Sequence, residues 1–175
     1  MHRKLLSTLL LLFCIALSVS GYTGEYLRGK VVKVSDGDTV WVKLENGNRV
    51  KIRIWGIDTP EKFRSKKLHR ESERCMVPET GIVRLGKLAS RKAGELLNRK
   101  RVLIETHGRG YYGRLLGRVF IEGETDFGLE MIRLGYACAY DRSAPEEYVR
   151  AEKRAKKERR GLWRKAYSLM DCLCR

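Results

Sequence analysis

Between residues 31 and 57 the hydrophobic residues follow a period-two pattern that short polar turns interrupt. Val40, Val42 and Leu44 alternate with more polar neighbours, which is typical of a strand with one buried face. Asn46-Gly47, between two such runs, is a strong signal for a tight hairpin. The pattern therefore predicts a meander of three strands: Val31 to Ser35, Thr39 to Leu44 and Arg49 to Ile57.

Two more strand-like runs lie further along the chain, from Arg101 to Thr106 and from Leu115 to Ile121. A three-stranded meander followed by two strands fits a five-stranded barrel of the OB type. Pro60 has no amide to donate to a ladder, so the third strand should stop near Asp58. The predicted fold class is α+β: a five-stranded OB-type β-barrel with about three α-helices.

Three segments carry apolar residues at helical spacing or the signals of helix ends. Gly135 is expected to cap the second helix, and Ser143 and Glu146 to form a capping box that opens the third. The many Lys and Arg residues of the third helix indicate a solvated face rather than a nucleic-acid groove. The predicted bounds are about Leu85 to Asn98, Asp126 to Leu134 and Glu147 to Arg160.

The interval from Lys62 to about Val83 is predicted to be the least ordered part of the chain. Basic and acidic residues are interleaved there, and Pro78 and Gly81 interrupt any helical pattern. Loops of this length are usually functional or disordered. Two interpretations stay open: a mobile loop beside a site, or a solvated linker without substrate contact.

The first twenty residues have the layout of a secretory signal peptide. A basic start, His2-Arg3-Lys4, precedes an apolar run from Leu5 to Val19, and small residues follow near Gly21. The alternative is a membrane anchor, but the apolar run is shorter than the ~20 residues that span a bilayer. We expect an exported protein, secreted or periplasmic, whose residues 21 to 175 form one domain.

The whole chain carries a formal net charge of +16, and loss of Arg3 and Lys4 with the signal would leave about +14. An excess of this size implies a polyanionic partner, either nucleic acid or an anionic membrane surface. No amphipathic segment pairs a basic face with a Trp or Phe face, which disfavours the membrane. We expect a monomer with no stable membrane association.

Two acidic turns stand at the ends of predicted strands: Asp36-Gly37-Asp38-Thr39 and Asp58-Thr59-Pro60-Glu61. Each alone is compatible with a solvated turn. Two Asp-bearing strand ends in one small domain nevertheless indicate an oxygen-rich site for a hard cation.

These turns occur in series with Arg53, Tyr112-Gly113-Arg114 and Gly161-Leu162-Trp163. In this order the motifs resemble the staphylococcal-nuclease (thermonuclease) family, over about residues 28 to 163. The resemblance implies an OB-type barrel and a Ca²⁺-dependent endonuclease that hydrolyses DNA and RNA with little sequence specificity. A short tail containing cysteines follows the matched region.

The resemblance also implies roles for individual residues. Asp38 and Asp58 would bind the metal ion by their carboxylates and Thr59 by its backbone carbonyl, with Asp36 in support. All these ligands are oxygens, as Ca²⁺ prefers, and few come from the protein, so the affinity should be modest. Further roles fall on the following residues: Arg53 and Arg114 on the scissile phosphate, Glu61 on the attacking water, and Tyr112 and Tyr140 on the nucleotide.

The four cysteines after residue 21 are even in number and suit an oxidising compartment. Zinc is the rival interpretation, but Cys172 and Cys174 lack the usual zinc spacing and a His partner, so disulfides are favoured. A ring closed between these two would be strained, so each is expected to pair outward. His69 and His107 are interpreted as surface residues.

Two function classes remain: a nuclease, and a non-catalytic OB-type module that only binds nucleic acid. A binding module needs basic and aromatic surface but has no reason to combine catalytic carboxylates with an arginine pair. The presence of Asp38, Asp58, Glu61, Arg53 and Arg114 together favours the nuclease.

Overall fold

The computed structural model describes residues 25–110, 113–140 and 143–175. Within them the chain forms eight strands: β1 (Tyr26–Val34), β2 (Thr39–Leu44), β3 (Arg49–Ile54), β4 (Ile57–Asp58), β5 (Arg101–Arg109), β6 (Leu115–Ile121), β7 (Thr125–Asp126) and β8 (Cys138–Ala139). The five predicted strands correspond to β1, β2, β3, β5 and β6.

These five strands close into a barrel. Strand β1 pairs antiparallel with β2 and with β5, β2 pairs with β3, and β5 pairs with β6. A parallel pairing of β3 with β6, from Ile52↔Leu115 to Ile54↔Gly117, joins the two ends. The predicted OB-type barrel and the α+β class are confirmed.

The described residues contain six helices, where the sequence predicted about three. Their bounds are α1 (Lys66–Cys75), α2 (Glu79–Leu97), α3 (Phe127–Arg133), α4 (Glu146–Lys157), α5 (Gly161–Lys165) and α6 (Tyr167–Leu173). None of these helices is both long and apolar enough to cross a membrane.

Two apolar clusters hold the fold together. The barrel cluster contains inward residues such as Val40, Ile52 and Ile104, which alternate with outward residues along their strands. The second cluster packs Leu68, Ile82 and other apolar residues around the fully buried Trp163, between α1, α2, α5 and α6. This second cluster holds one wall of the cleft described below.

The prediction of a poorly ordered loop from Lys62 to Val83 is wrong. Ser65 caps α1 by accepting a hydrogen bond from the Leu68 amide at 3.0 Å, and Leu68 is buried. Pro78 precedes α2 as its N-cap, a position where the missing amide is harmless. The proline that was expected to interrupt a helix instead stands where one begins.

The predicted capping box at the third helix is also wrong. Helix α4 begins at Glu146 after Pro145, whose side chain makes no capping hydrogen bond. The fixed φ of proline suits this position, so the helix starts without a Ser143 cap. By contrast, Gly135 ends α3 as predicted, with φ +76°.

Two disulfides fasten the C-terminal helix α6. Cys75 at the end of α1 bonds to Cys172, with Cα atoms 5.8 Å apart, and Cys138 on β8 bonds to Cys174, with Cα atoms 5.4 Å apart. The prediction of disulfides rather than zinc is confirmed, as is the outward pairing of Cys172 and Cys174.

Candidate active site

A cleft of about 1330 Å³ opens where the barrel meets α1 and the C-terminal tail. It brings together most of the residues singled out from the sequence, although they come from four separate parts of the chain. The residues among them that line the cleft are Asp36, Asp38, Arg53, Asp58, Glu61, Arg114 and Tyr140. Thr59 reaches the same cluster through Asp38.

Asp38 lies buried at the bottom of the cluster. Its Oδ2 accepts hydrogen bonds from the backbone amide of Thr59 at 3.2 Å and from the Thr59 hydroxyl at 3.0 Å, while its Oδ1 accepts from the Thr39 hydroxyl at 3.0 Å. Gly37 makes this close approach possible, because a Cβ at that position would lie 2.8 Å from Thr59 Cγ2. The two acidic turns are thus packed directly against each other.

Arg53 joins the two turns electrostatically. Its Nη1 lies 2.8 Å from Asp38 Oδ2, and its Nη2 lies 2.9 Å from Asp58 Oδ1. The side chain is only 18% exposed. Burial disfavours its charge, but Asp38 and Asp58 outweigh that effect and raise the pKa of Arg53 above its ordinary value. The guanidinium is a fixed positive charge in the cluster.

Asp36 and Asp38 titrate differently although they stand two residues apart. Burial, and then the charge of Asp38, raise the pKa of Asp36 to about 7. Burial opposes ionisation of Asp38 as well, but Arg53 and Lys67 overcome it and hold the pKa of Asp38 below its usual value. Near neutral pH, Asp38 is therefore charged, and Asp36 is close to the midpoint of its titration.

Asp58 owes its position to a short second sheet. Strand β3 ends at Ile54, earlier than predicted, and a turn at Gly56 with φ +77° starts β4, which pairs with β8 as Asp58↔Cys138. The Tyr140 amide donates to the Gly56 carbonyl at 2.9 Å. Tyr140 itself is 44% exposed beside the cleft.

Glu61 follows this sheet and is held by the backbone behind it. Helix α2 crosses so closely at Gly86 that a Cβ there would lie 2.4 Å from the Glu61 carbonyl oxygen. Lys62 anchors the same segment by donating to the Ser35 carbonyl at 2.6 Å and to the Ser90 hydroxyl at 2.9 Å. The Glu61 carboxylate thus projects into the cleft from a fixed backbone.

Lys67 is a site residue that the sequence analysis missed. Its Nζ donates to both carboxylate oxygens of Asp58, at 2.8 and 2.7 Å, and lies 3.1 Å from Glu61 Oε1. Burial disfavours its charge, but the carboxylates of Asp58, Glu71 and Glu61 raise the pKa of Lys67 above its ordinary value. Because the residue was assigned to a loop, the only signal for it was the i,i+4 spacing from Glu71.

Glu71 is the second missed residue. It is buried, its Oε1 lies 3.6 Å from Lys67 Nζ, and its Oε2 has no hydrogen-bond partner among the described residues. Burial raises the pKa of Glu71 to about 7, with the Asp58 and Glu61 carboxylates acting in the same direction and Lys67 opposing them.

The side chains fit a hard cation by donor type, since the lining offers carboxylate oxygens, one of them an orphaned buried oxygen of Glu71. Within the described ranges, however, no three His, Cys, Asp or Glu residues are already grouped to hold a metal ion. Arg53 lies between Asp38 and Asp58, and Lys67 covers Asp58. An ion at Asp58 therefore competes with these two cations.

Arg114 enters the cleft from the turn between β5 and β6. The Gly110 amide donates to the Arg114 carbonyl at 2.8 Å, and the Gly113 amide to the Gly110 carbonyl at 2.8 Å, so the turn is tight. The predicted contact residue Tyr112 lies outside the described residues.

Two aromatic rings stack next to this turn. Trp55 lines the cleft and stacks on His107, with ring centroids 4.1 Å apart and planes 6° from parallel. His107 is therefore a half-buried packing residue, not the surface residue predicted, whereas His69 is exposed as expected. Trp55 was treated only as a strand residue, although its spacing two residues after Arg53 places it on the same side of the chain.

A scan against protein families matches the staphylococcal nuclease homologue model to residues 51–165. The chain is 36% identical to an uncharacterized protein of Methanocaldococcus jannaschii over 81% of this chain and 73% of that protein. It is 29% identical to an uncharacterized endonuclease of Haemophilus influenzae, over 93% of this chain and 79% of that protein. It is 30% identical to the endonuclease YhcR of Bacillus subtilis over 85% of this chain, but it spans only 12% of that protein's length.

The family model covers more than half of the chain, and it includes Arg53, Asp58, Glu61 and Arg114 in the cleft. The barrel closed by β3 and β6 agrees with the OB-type architecture that the motifs implied. This chain belongs to the family of staphylococcal nuclease homologues.

Proposed function

We propose that the protein is a nuclease that hydrolyses phosphodiester bonds of nucleic acids in the cleft. The observation that carries this proposal is the ion-paired cluster of Asp38, Arg53 and Asp58 with Glu61 beside it in one open cleft. Relatives named endonucleases in Haemophilus influenzae and Bacillus subtilis support the same activity.

The residues divide the work of hydrolysis in the following way. Glu61 orients a water molecule and accepts its proton as the water oxygen bonds to phosphorus. Arg53 and Arg114 stabilise the negative charge that grows on the phosphoryl oxygens, for which a planar guanidinium is better suited than an ammonium. The bond to the leaving oxygen then breaks, that oxygen takes a proton from solvent water, and Glu61 returns its proton to solvent, so that one water molecule is consumed in each cleavage.

We propose Ca²⁺ as the cofactor, held by Asp38, Asp58 and the Thr59 carbonyl with Asp36 in support. Hard oxygen donors favour this ion, and among the described residues the lining of the cleft offers no imidazole and no free thiolate, since Cys138 and Cys174 are joined in a disulfide. When bound, the ion supplies positive charge next to the reacting phosphate.

The substrates proposed are both DNA and RNA. Tyr140 and Trp55 offer exposed or half-buried rings along the cleft, and every base has a face that stacks on such a ring. Tyr112, adjacent in sequence to the described turn, is proposed as a further contact. A positively charged protein also attracts any polyanion irrespective of its sequence.

The decisive experiment measures degradation of plasmid DNA and of a labelled RNA by residues 21 to 175, in Ca²⁺ and in EGTA. We expect hydrolysis in Ca²⁺ and its loss in EGTA. Full activity in EGTA with Mg²⁺ or Zn²⁺ would remove calcium from the proposal. Binding of an oligonucleotide without any hydrolysis would instead support a non-catalytic binding module.

Export is proposed from the N-terminal sequence alone. Mass spectrometry of the protein recovered from periplasm or medium should give an N-terminus near Gly21 or Tyr22. Recovery of cytosolic protein with an intact Met1 would contradict this. Light scattering of the same material should give the mass of a monomer.

A further inference from the structure

Lys67 lies at the position where an approaching cation would meet Asp58. Its Nζ is 2.7 and 2.8 Å from the two Asp58 oxygens and 3.1 Å from Glu61 Oε1. Arg53 also binds Asp58 Oδ1, at 2.9 Å, so both oxygens already face positive charge. A divalent ion can reach this carboxylate only if the ammonium leaves.

Glu71 offers the ammonium a place to go. It stands one helical turn after Lys67 on α1, with Oε1 already 3.6 Å from Nζ. Its Oε2 is buried and has no partner within the part of the chain that the structure describes. A small rotation of the lysine stem would exchange Asp58 for Glu71 without taking the ammonium out of the carboxylate cluster.

We propose that Lys67 is a tethered counterion that occupies the Asp58 carboxylate until a divalent cation displaces it onto Glu71. The inference rests on the proposed calcium site and adds to it the residue that sets its affinity. Lys67 is a positioning residue here: it acts through Asp58, and its long stem lets the charge move while the backbone of α1 stays in place.

The test is calorimetric titration of the purified protein with Ca²⁺ alone, at mildly alkaline pH and without nucleic acid. Lys67→Met keeps the apolar stem and removes the competing charge, so we expect Kd for Ca²⁺ to fall at least ~10-fold. Lys66→Met is the matched control, since Lys66 is an exposed lysine at the rim of the same cleft. Its Kd should change by less than about 2-fold, because an exposed charge is screened.

Glu71→Gln should change the Kd for Ca²⁺ in the opposite direction from Lys67→Met. Without the second carboxylate, Lys67 stays on Asp58, and Kd for Ca²⁺ should rise several-fold. In the Lys67→Met background the same Glu71→Gln change should have little effect on Kd, because that protein has no Lys67 ammonium to move onto residue 71. A double-mutant cycle measured this way separates the proposed exchange from a general loss of negative charge, which would weaken binding equally in both backgrounds.

The inference is overturned if Lys67→Met binds Ca²⁺ no more tightly than the Lys66→Met control, or if neither protein binds it. It is also overturned if Glu71→Gln acts equally in both backgrounds.

Hydrolysis is assayed separately. If Lys67→Met binds Ca²⁺ more tightly but neither it nor the wild-type protein cleaves nucleic acid, the result supports the inference and contradicts the proposed nuclease. Equal binding with normal hydrolysis would do the reverse. If circular dichroism shows that Lys67→Met does not fold, the Glu71→Gln titration still tests the inference: Kd for Ca²⁺ must rise relative to the wild-type protein, and an unchanged or lower Kd overturns it.

Discussion

Arg53 Nη1 lies 2.8 Å from Asp38 Oδ2, and this ion pair is largely screened from water. Because the same guanidinium also reaches Asp58, one residue both holds the two acidic turns together and carries the proposed phosphate contact. Its replacement should therefore affect stability as well as catalysis.

For Arg53→Lys we expect kcat to fall by at least ~10²-fold, since an ammonium cannot reproduce the two-pronged contact with phosphate. We also expect a loss of about 1–3 kcal/mol in the free energy of unfolding, because one of the two carboxylates loses its partner. Steady-state kinetics and urea unfolding measure the two effects.

Arg118→Lys is the control for this variant. Arg118 makes two hydrogen bonds to Asp126 Oδ2, at 3.1 and 2.6 Å, and is not part of the cleft lining. It should lose stability with kcat nearly unchanged. Equal loss of kcat in both variants would mean that Arg53 acts only through stability.

Glu61→Gln and Arg114→Lys should each lower kcat by at least ~10²-fold with a smaller effect on stability than Arg53→Lys. Glu61 is 26% exposed and receives a hydrogen bond from the Ser65 hydroxyl at 3.2 Å, which glutamine can also accept. Glu73→Gln, an exposed residue on α1, should retain full turnover. Near-normal kcat in either cleft variant would remove that residue from the catalytic set.

The barrel could be predicted because its signals are local. Period-two alternation and the Asn46-Gly47 turn fix the β2 and β3 hairpin within the sequence itself. Helix α1 could not be predicted in the same way, because only Leu68 and Glu71 of its ten residues are buried, and its disulfide partner Cys172 lies 97 residues away. Helix α6 is likewise fixed by Cys172 and Cys174 bonding across the fold.

The residues of the candidate site likewise fall into two groups: those that local sequence motifs predict and those that only the tertiary structure reveals. The short motifs around Asp38 and Asp58 carry their spacing in the sequence, and the structure brings them into contact through Thr59. Lys67 and Glu71 belong to no motif and become site residues only once α1 packs beside the cleft. Their assignment needed the three-dimensional arrangement of charges.

Asp36→Asn should change how stability depends on pH. The pKa of Asp36 is raised from 3.8 to about 7, so the folded protein binds this proton more tightly than the unfolded chain does. Its contribution to stability is complete below about pH 4 and is lost as the pH rises through about 7. In EGTA, the wild-type protein should therefore lose stability relative to Asp36→Asn over this window. Urea unfolding at a series of pH values measures the difference, with Glu45→Gln at an exposed turn as the control variant.

Removal of the two disulfides should destabilise the protein without changing its fold. Replacing both Cys75 and Cys172 by Ala removes a cross-link between residues 97 positions apart. Replacing both Cys138 and Cys174 removes one between residues 36 positions apart. Chain entropy predicts losses of about 2–5 kcal/mol, with the first pair about 1 kcal/mol larger. Urea unfolding with and without reductant measures this. No loss from reduction of the wild-type protein would contradict it.

The last prediction concerns substrate choice. The proposed contacts address phosphate, sugar and one stacked base, and no cluster of Asn or Gln residues offers two-pronged contacts to adenine. Choice among substrates should then follow how easily a strand can enter the cleft. We expect hydrolysis of single strands faster than duplex in both DNA and RNA, a mild preference for A·T or A·U-rich segments that fray readily, and a steep loss of affinity with salt.

The half-buried ring of Trp55 and the exposed ring of Tyr140 give this prediction a structural test. Base stacking on such rings contributes about 1–3 kcal/mol per base, and an unstacked single strand offers its bases to them where a rigid duplex does not. Trp55→Leu with Tyr140→Leu should therefore raise KM for single strands about 10-fold or more while duplex cleavage changes little. Trp41→Leu, outside the cleft lining, is the control. Duplex cut faster than its own separated strand, or cleavage confined to one defined sequence, would show that strand entry does not govern the choice.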